Sequence, residues 1–263
     1  MDLGVKDRGY LVVGGTQGMG LATARTLAAE GARVAVAARH AERTTAVASQ
    51  LSTEAGTLVL PFSVDANDEE ATEAMVSEAA EALGGLAGVC ITASGSTVAA
   101  SGRDASWLSM LEATLLATVH VVDSALPHLI RTGGGTVVTT SAYSVRDPHG
   151  VRLQYTSAKA AVVTYTKCIA KEYGSEGIRA NCVAPGAIET EALHAARAQL
   201  AEQRGWPYDE ALERMMVDEW HMDVALGRPG QPQEVGDLMA FLLSPRAGYL
   251  TGAHINIDGG TNF

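Results

Sequence analysis

Cysteine, basic charge and long apolar runs are what this chain has least of. Its 3 cysteines, Cys90, Cys168 and Cys182, are odd in number, far apart, and without C-x-x-C spacing or flanking histidines. That excludes a disulfide framework and leaves reduced thiols inside apolar strand or helix patterns. Lysine and arginine total 19 against 30 aspartates and glutamates, a net charge of −11. With no basic stripe or basic amphipathic helix, nucleic acid and anionic membranes are poor partners, and small molecules are the expected ligands. No stretch reaches the roughly 18 apolar residues of a membrane span. The first residues carry Asp2, Lys6, Asp7 and Arg8 around a short apolar run, unlike a signal peptide, so a cytoplasmic protein is expected. None of the 7 histidines has metal-ligand spacing, and no metal is expected.

Linkers and low-complexity segments are missing too. The 263 residues, 47% hydrophobic with 28 glycines, read as one α/β domain. Tyr10 to Val13 is a short strand that breaks into Gly14-Gly15-Thr16-Gln17-Gly18-Met19-Gly20, and helix-spaced Leu21, Ala24, Leu27 and Ala28 follow. Glycines there let the backbone approach a pyrophosphate at a helix N-terminus, although a purely structural turn uses the same residues. Further strands are expected at 34–38, 57–62, 86–91, 136–140, 177–183 and 254–257. Helices are expected near 41–52, 69–83, 105–130, 154–174 and 233–243. Such alternation predicts a doubly wound parallel sheet, the Rossmann fold, with helices on both faces and the site loops gathered at one edge.

Several residues fall at that edge. Arg39 ends the second strand, where a dinucleotide's adenosine ribose is met, and no carboxylate stands there. Arg39 either pairs with a 2′-phosphate, favouring NADP over NAD, or is a solvated surface arginine. Asp65, beside Ala66, is placed to accept from an adenine amino group, and Asp68 to cap the next helix. Thr92-Ala93-Ser94-Gly95 supplies small residues past which a cofactor can run. Ser141 and Ser144 offer hydroxyls after the fifth strand.

Tyr155 and Lys159, four apart on a long helix, share one face. A free phenol has a pKa of about 10. An ammonium at about 4.5 Å, with an effective dielectric of about 20, favours phenolate by roughly 3 to 4 kcal/mol, two to three pKa units. By itself such a pair is as readily a surface contact.

With the Gly-rich turn, the Tyr155/Lys159 pair and Pro185-Gly186-Ala187-Ile188-Glu189-Thr190 in this order, then Gly248-Tyr249-Leu250-Thr251-Gly252 and Asp258-Gly259-Gly260, the chain resembles a classical short-chain dehydrogenase/reductase from Val5 to Phe263. The resemblance implies hydride transfer between NADP(H), NAD being less favoured, and a carbonyl or secondary alcohol. Tyr155 would be the general acid/base, and Lys159 would lower its pKa and hold the nicotinamide ribose. Gly14, Thr16, Gln17, Gly18, Met19 and Gly20 would cradle the pyrophosphate, with Asp65 and Ala66 at the adenine and Ala93 and Ser94 along the cofactor. Pro185 and Gly186, then Ile188 and Thr190, would meet the nicotinamide end. A homotetramer is implied as well.

The chain departs from the family at Val13 for threonine, at Thr92-Ala93-Ser94-Gly95 for Asn-Asn-Ala-Gly, and at Thr114 for the helix asparagine that supports a relay water. The usual serine position falls on Ala142. A one-residue longer loop would restore Ser141 as the catalytic serine, with Ser144 the alternative. These departures keep open a second class, a dinucleotide-binding scaffold or sensor without catalysis. Finally, 190–226 is expected to form a helical lid whose Trp206, Tyr208, Met215, Met216, Trp220, His221 and Met222 either wall an apolar pocket, suited to a ketone or 3-oxoacyl group, or pack the lid down. His194 and His221 are candidate polar contacts or surface histidines.

Overall fold

A computed structural model describes residues 2–93, 103–148, 152–219 and 222–261. In chain order the elements begin with β1 (Gly9–Val13), α1 (Gly18–Ala29), β2 (Arg33–Ala38), α2 (Ala41–Ala55), β3 (Val59–Ser63), α3 (Glu69–Ala82) and β4 (Gly88–Ile91). Then come α4 (Arg103–Leu111), a π-helical turn (Glu112–Leu116), α5 (Ala117–Arg131), β5 (Gly135–Thr140), α6 (Leu153–Glu172) and β6 (Ile178–Pro185). The last are α7 (Glu191–Arg204), α8 (Tyr208–Arg214), a second π turn (Met215–Glu219), α9 (Pro232–Leu243) and β7 (His254–Ile257).

Among the described residues seven strands form one parallel sheet, in the order β3-β2-β1-β4-β5-β6-β7. The order reverses between β1 and β4, and in open α/β sheets ligands bind at the carboxyl ends beside that switch. Strand sequence explains the two-sided packing. In β1, Leu11 and Val13 join a core with Val121, Leu129 and Ile169 from the helices on one face. Tyr10 and Val12 join another with Leu27, Val235 and Met239 on the opposite face. A strand buried on both sides must be apolar at every position, which is how β1 reads. At the edge, β3 alternates instead and carries Pro61, which an edge strand tolerates.

The helix expected at 105–130 is present but breaks its α hydrogen bonding at the π turn. Its residues Ser106–Arg131 are long and apolar enough, by length and composition, to cross a membrane. Here Val121, Val122, Ala125, Leu126 and Leu129 are instead packed in the core. Cys168 departs from expectation: it is exposed on α6, whereas Cys90 and Cys182 are buried, and all three are free thiols. The helical period places Cys168 one position before Ile169 and Ala170, which hold the buried face.

Helices α1 and α9 pack where Gly236 meets α1. A Cβ added at Gly236 would lie 2.7 Å from the Ala22 backbone carbon and 2.8 Å from the Thr23 nitrogen. Gly236→Ala gains about 1 kcal/mol of helix propensity but overpacks a backbone contact. A net destabilisation of about 1–2 kcal/mol is expected from denaturant unfolding; an unchanged or raised midpoint would show that the helices separate freely.

Candidate active site

The turn after β1 is built so tightly that only glycine fits. Gly14 has φ +85°, and a Cβ there would lie 2.5 Å from Thr92 Oγ1. At Gly20 a Cβ would reach 2.2 Å from the Gly14 carbonyl oxygen, and at Gly18, φ +51°, 3.0 Å from Thr190 Cγ2. Thr16 is buried, and Gln17 starts α1 in an extended conformation with no side-chain cap, with Met19 partly buried against the core. Thr92 has a role that sequence did not reveal. Its hydroxyl donates to the carbonyls of Val13 (3.2 Å) and Gly14 (3.3 Å), fastening the turn to the end of β4 next to Ala93. Ser94 lies outside the described residues.

Toward the sheet edge, Arg39 is exposed just past β2, and its carbonyl accepts from Ser63 Oγ at 3.2 Å. Asp65 is exposed and accepts from the Asn67 amide at 3.1 Å. Asp68 caps α3 by accepting from the Ala71 amide, as its position suggested. The Ala66 carbonyl meets His120 Nδ1 at 3.0 Å. On the far wall Pro185 ends β6, and Gly186 donates to the Ile257 carbonyl at 3.1 Å. Ile188 bridges to Gly230, and Thr190 caps α7 by accepting from the Leu193 amide.

Tyr155 and Lys159 sit in the first two turns of α6, against the end of β5. The Lys159 Nζ lies 5.7 Å from the Tyr155 ring centroid and donates to the Thr140 carbonyl at 2.7 Å. An ammonium carries three donors, so two remain for other partners. Burial pushes the Lys159 pKa down to about 8, with Cys182 acting weakly the other way. Burial raises the Tyr155 phenol; the Arg152 charge opposes the rise and Tyr143 adds to it. The Lys159 ammonium is thus turned toward Thr140, within 5.7 Å of the Tyr155 ring, and burial sets the direction of both groups.

The two candidate serines are both buried. Ser141 is 2% exposed, and its hydroxyl makes a long 3.5 Å contact to the Lys159 carbonyl. Ser144, on a 3₁₀ turn at Tyr143–Val145, is equally buried and accepts from Thr156 Oγ1 at 3.0 Å. Thr114 is buried on the first π turn and donates to Met110 Sδ at 3.6 Å. π turns often mark functional positions in helices.

The segment expected to be a lid is α7, α8 and the second π turn. Met216 and Met222 pack with Ala187 and Tyr143 in a small apolar cluster, partly covered by Leu212 and Val224. Tyr208 does not join it: it is exposed and stacks on Arg197, 3.9 Å from guanidinium carbon to ring centroid. Trp206 is 5.6 Å from the Arg214 guanidinium, and His194 is exposed. Trp220 and His221 lie outside the described residues. Among the described residues no group of histidine, cysteine and carboxylate side chains is arranged to hold a metal ion. Sequence reasoning passed over Tyr143 altogether; a bulky aromatic immediately after Ala142 was the signal available.

Known proteins share this arrangement along nearly the whole chain. The family model described as enoyl-(acyl carrier protein) reductase matches residues 13–262. Meso-2,3-butanediol dehydrogenase of Serratia marcescens is 34% identical over 253 residues, spanning 95% of this chain and 92% of that protein. Among solved structures, L-sorbose reductase from Gluconobacter frateurii, complexed with NADPH and L-sorbose, superposes with a TM-score of 0.91, covering 99% of this chain and 98% of its own at 27% identity. Levodione reductase does so with a TM-score of 0.88 over 97% of each chain at 30% identity. Sequence, fold and the length of the match agree, and the chain belongs to the short-chain dehydrogenase/reductase family of NAD(P)-dependent oxidoreductases.

Proposed function

We propose that the protein reduces a ketone with NADPH, Tyr155 supplying the proton. The observation that carries this reading is the placement of Tyr155 and Lys159 on one face of α6, against the carboxyl end of β5 and across the switch point from the glycine turn. That turn suits a pyrophosphate: Gly14, Gly18 and Gly20 let it close tightly against Thr92 and Thr190, and α1 begins there without a side-chain cap. Thr16, Gln17 and Met19 lie along the same turn. Asp65, Ala66, Ala93 and Ser94 would hold the adenosine side, and Pro185, Gly186, Ile188 and Thr190 the nicotinamide side. Arg39 would pair with the 2′-phosphate, and the NADPH in the L-sorbose reductase complex supports the same choice over NAD.

When bound, the reduced dinucleotide supplies a hydride to the carbonyl carbon. Tyr155 donates its phenolic proton to the carbonyl oxygen as the C=O π bond opens, and water restores that proton afterwards. Lys159 would hold the ribose hydroxyls with its two remaining donors, and its ammonium, 5.7 Å from the Tyr155 ring, would favour the phenolate that forms. The Met216/Met222 wall excludes water and favours apolar ketones or 3-oxoacyl groups. A secondary alcohol is oxidised by the same groups in reverse.

Tyr155→Phe should reduce turnover to background with meso-2,3-butanediol and NADP⁺, L-sorbose and NADPH, or a 3-oxoacyl thioester and NADPH. Fluorescence titration of the same variant should still show NADPH bound at least about tenfold, 1.4 kcal/mol, more tightly than NADH. Retained turnover would sink the role of Tyr155, and equal affinities that of Arg39. The buried serines favour a second reading, a dinucleotide-binding scaffold without catalysis; tight NADPH binding with no turnover across a broad carbonyl panel would select it.

Because Lys159 titrates at about 8 in the cofactor-free protein, its charge is complete below that pH and lost above it. The ratio kcat/KM for NADPH reports the free enzyme, so it should fall as pH rises through about 8. A profile level to pH 9.5 would remove Lys159 from cofactor binding.

The assembly proposed is a cytoplasmic homotetramer. Leu108, Leu116 and Leu153 on the α4–α6 side, and Tyr249 and Leu250 beside β7, are exposed apolar side chains that subunit contacts would cover. Sedimentation velocity should show a tetramer, and a monomer at micromolar concentration would contradict it.

A further inference from the structure

The reduction proposed above needs a second hydroxyl. Tyr155 supplies one hydrogen bond to the carbonyl oxygen, and a donor beside it must stabilise the charge that grows there. The position expected to supply it by spacing is Ala142, which has no donor. Ser141 makes a long 3.5 Å contact to the Lys159 carbonyl, and Ser144 accepts from Thr156 Oγ1 at 3.0 Å. Both are 2% exposed.

Tyr143 lies between them in sequence, on the same 3₁₀ turn as Ser144. Its side chain is 6% exposed and packs against Ala187, which follows Pro185-Gly186, and against Met216 and Met222 of the lid. It therefore stands where the sheet edge meets the lid. Among the described residues its hydroxyl has no hydrogen-bond partner, and the Arg152 guanidinium is 6.0 Å from its ring centroid. Tyr143 is also close enough to Tyr155 to act on its ionisation. Burial keeps Tyr143 a neutral phenol, hence a donor, near neutral pH.

We infer that Tyr143 is a catalytic residue whose phenol donates the second hydrogen bond to the substrate carbonyl oxygen, in the role a serine at position 142 would have filled. The inference rests on the reductase reading. In the step, the C=O π electrons move to oxygen as the hydride reaches carbon. That oxygen takes its proton from Tyr155, and Tyr143 keeps its own proton throughout. A phenol reaches farther from the backbone than a serine hydroxyl, so the carbonyl is held out toward Met216 and Met222. This favours compact ketones whose apolar substituents lie against that methionine wall.

The test compares Tyr143→Phe, which keeps the ring and its packing, with the parent enzyme on whichever probe is turned over: meso-2,3-butanediol, L-sorbose or a 3-oxoacyl thioester. A lost oxyanion donor should lower kcat by about 10²–10³-fold, with NADPH affinity and thermal midpoint unchanged. Adding Ala142→Ser to Tyr143→Phe should restore part of that loss, which a merely structural role for Tyr143 would not allow. A parental kcat in Tyr143→Phe overturns the inference, as does the full loss appearing in Ser141→Ala or Ser144→Ala instead. Background turnover in Tyr155→Phe together with parental turnover in Tyr143→Phe keeps the reductase and discards Tyr143 alone. Turnover surviving in Tyr155→Phe discards the reductase reading itself.

Discussion

A buried ammonium with one backbone carbonyl beside it is the constraint on which the site depends. Lys159 is 2% exposed, and its 2.7 Å bond to Thr140 ties the first turns of α6 to the last residue of β5. A pKa drawn from 10.5 to about 8 corresponds to roughly 3 kcal/mol against the charged form, a cost that a purely structural contact would not need. A helix held in this way fixes the position of Tyr155, four residues earlier, relative to the sheet edge. It also places the remaining donors of Lys159 where a ribose would lie under the proposed reading. Strained or costly groups cluster at functional sites because the fold around them carries the expense.

The sheet supplies the opposite wall by a different constraint. Parallel strands with right-handed crossovers deliver every strand's carboxyl end to the same edge, and the reversal between β1 and β4 opens a crevice there. Glycines let the turn beside it close tightly against the end of β4. Thr92 closes it from beneath by bonding the Val13 and Gly14 carbonyls, a threonine at the position of a family asparagine that still fastens the turn to its neighbouring strand. The lid contributes apolar mass, with Met216 and Met222 against Tyr143 and Ala187, while Tyr208 stays exposed on Arg197 and Trp206 lies partly buried near Arg214.

Much of the fold was legible because its signals are local. A strand covered on both faces must be apolar throughout, a turn with a close backbone approach must be glycine, and a helix start such as Asp68 must carry an acceptor. Each of these conditions is met or failed within a few residues. The membership in the family was legible for the same reason, since the Gly-rich turn, the Tyr155/Lys159 spacing and the Pro185-Gly186 turn survive as short motifs. What local pattern misjudged was burial and direction. Cys168 lies on an apolar helix yet faces outward, and Tyr208 lies in an apolar lid yet stacks on Arg197.

By itself, then, the sequence determined the parallel α/β architecture, the order of its elements and the face shared by Tyr155 and Lys159, since periodicity and chain chirality leave few alternatives. Only the tertiary structure decided what surrounds those groups. Whether Lys159 acts on a phenol or on a carbonyl, whether Ser141 faces a cleft or a seam, and whether Tyr143 meets the lid all depend on contacts between residues distant in sequence. Electrostatic and desolvation effects follow from those contacts, and no spacing along the chain encodes them.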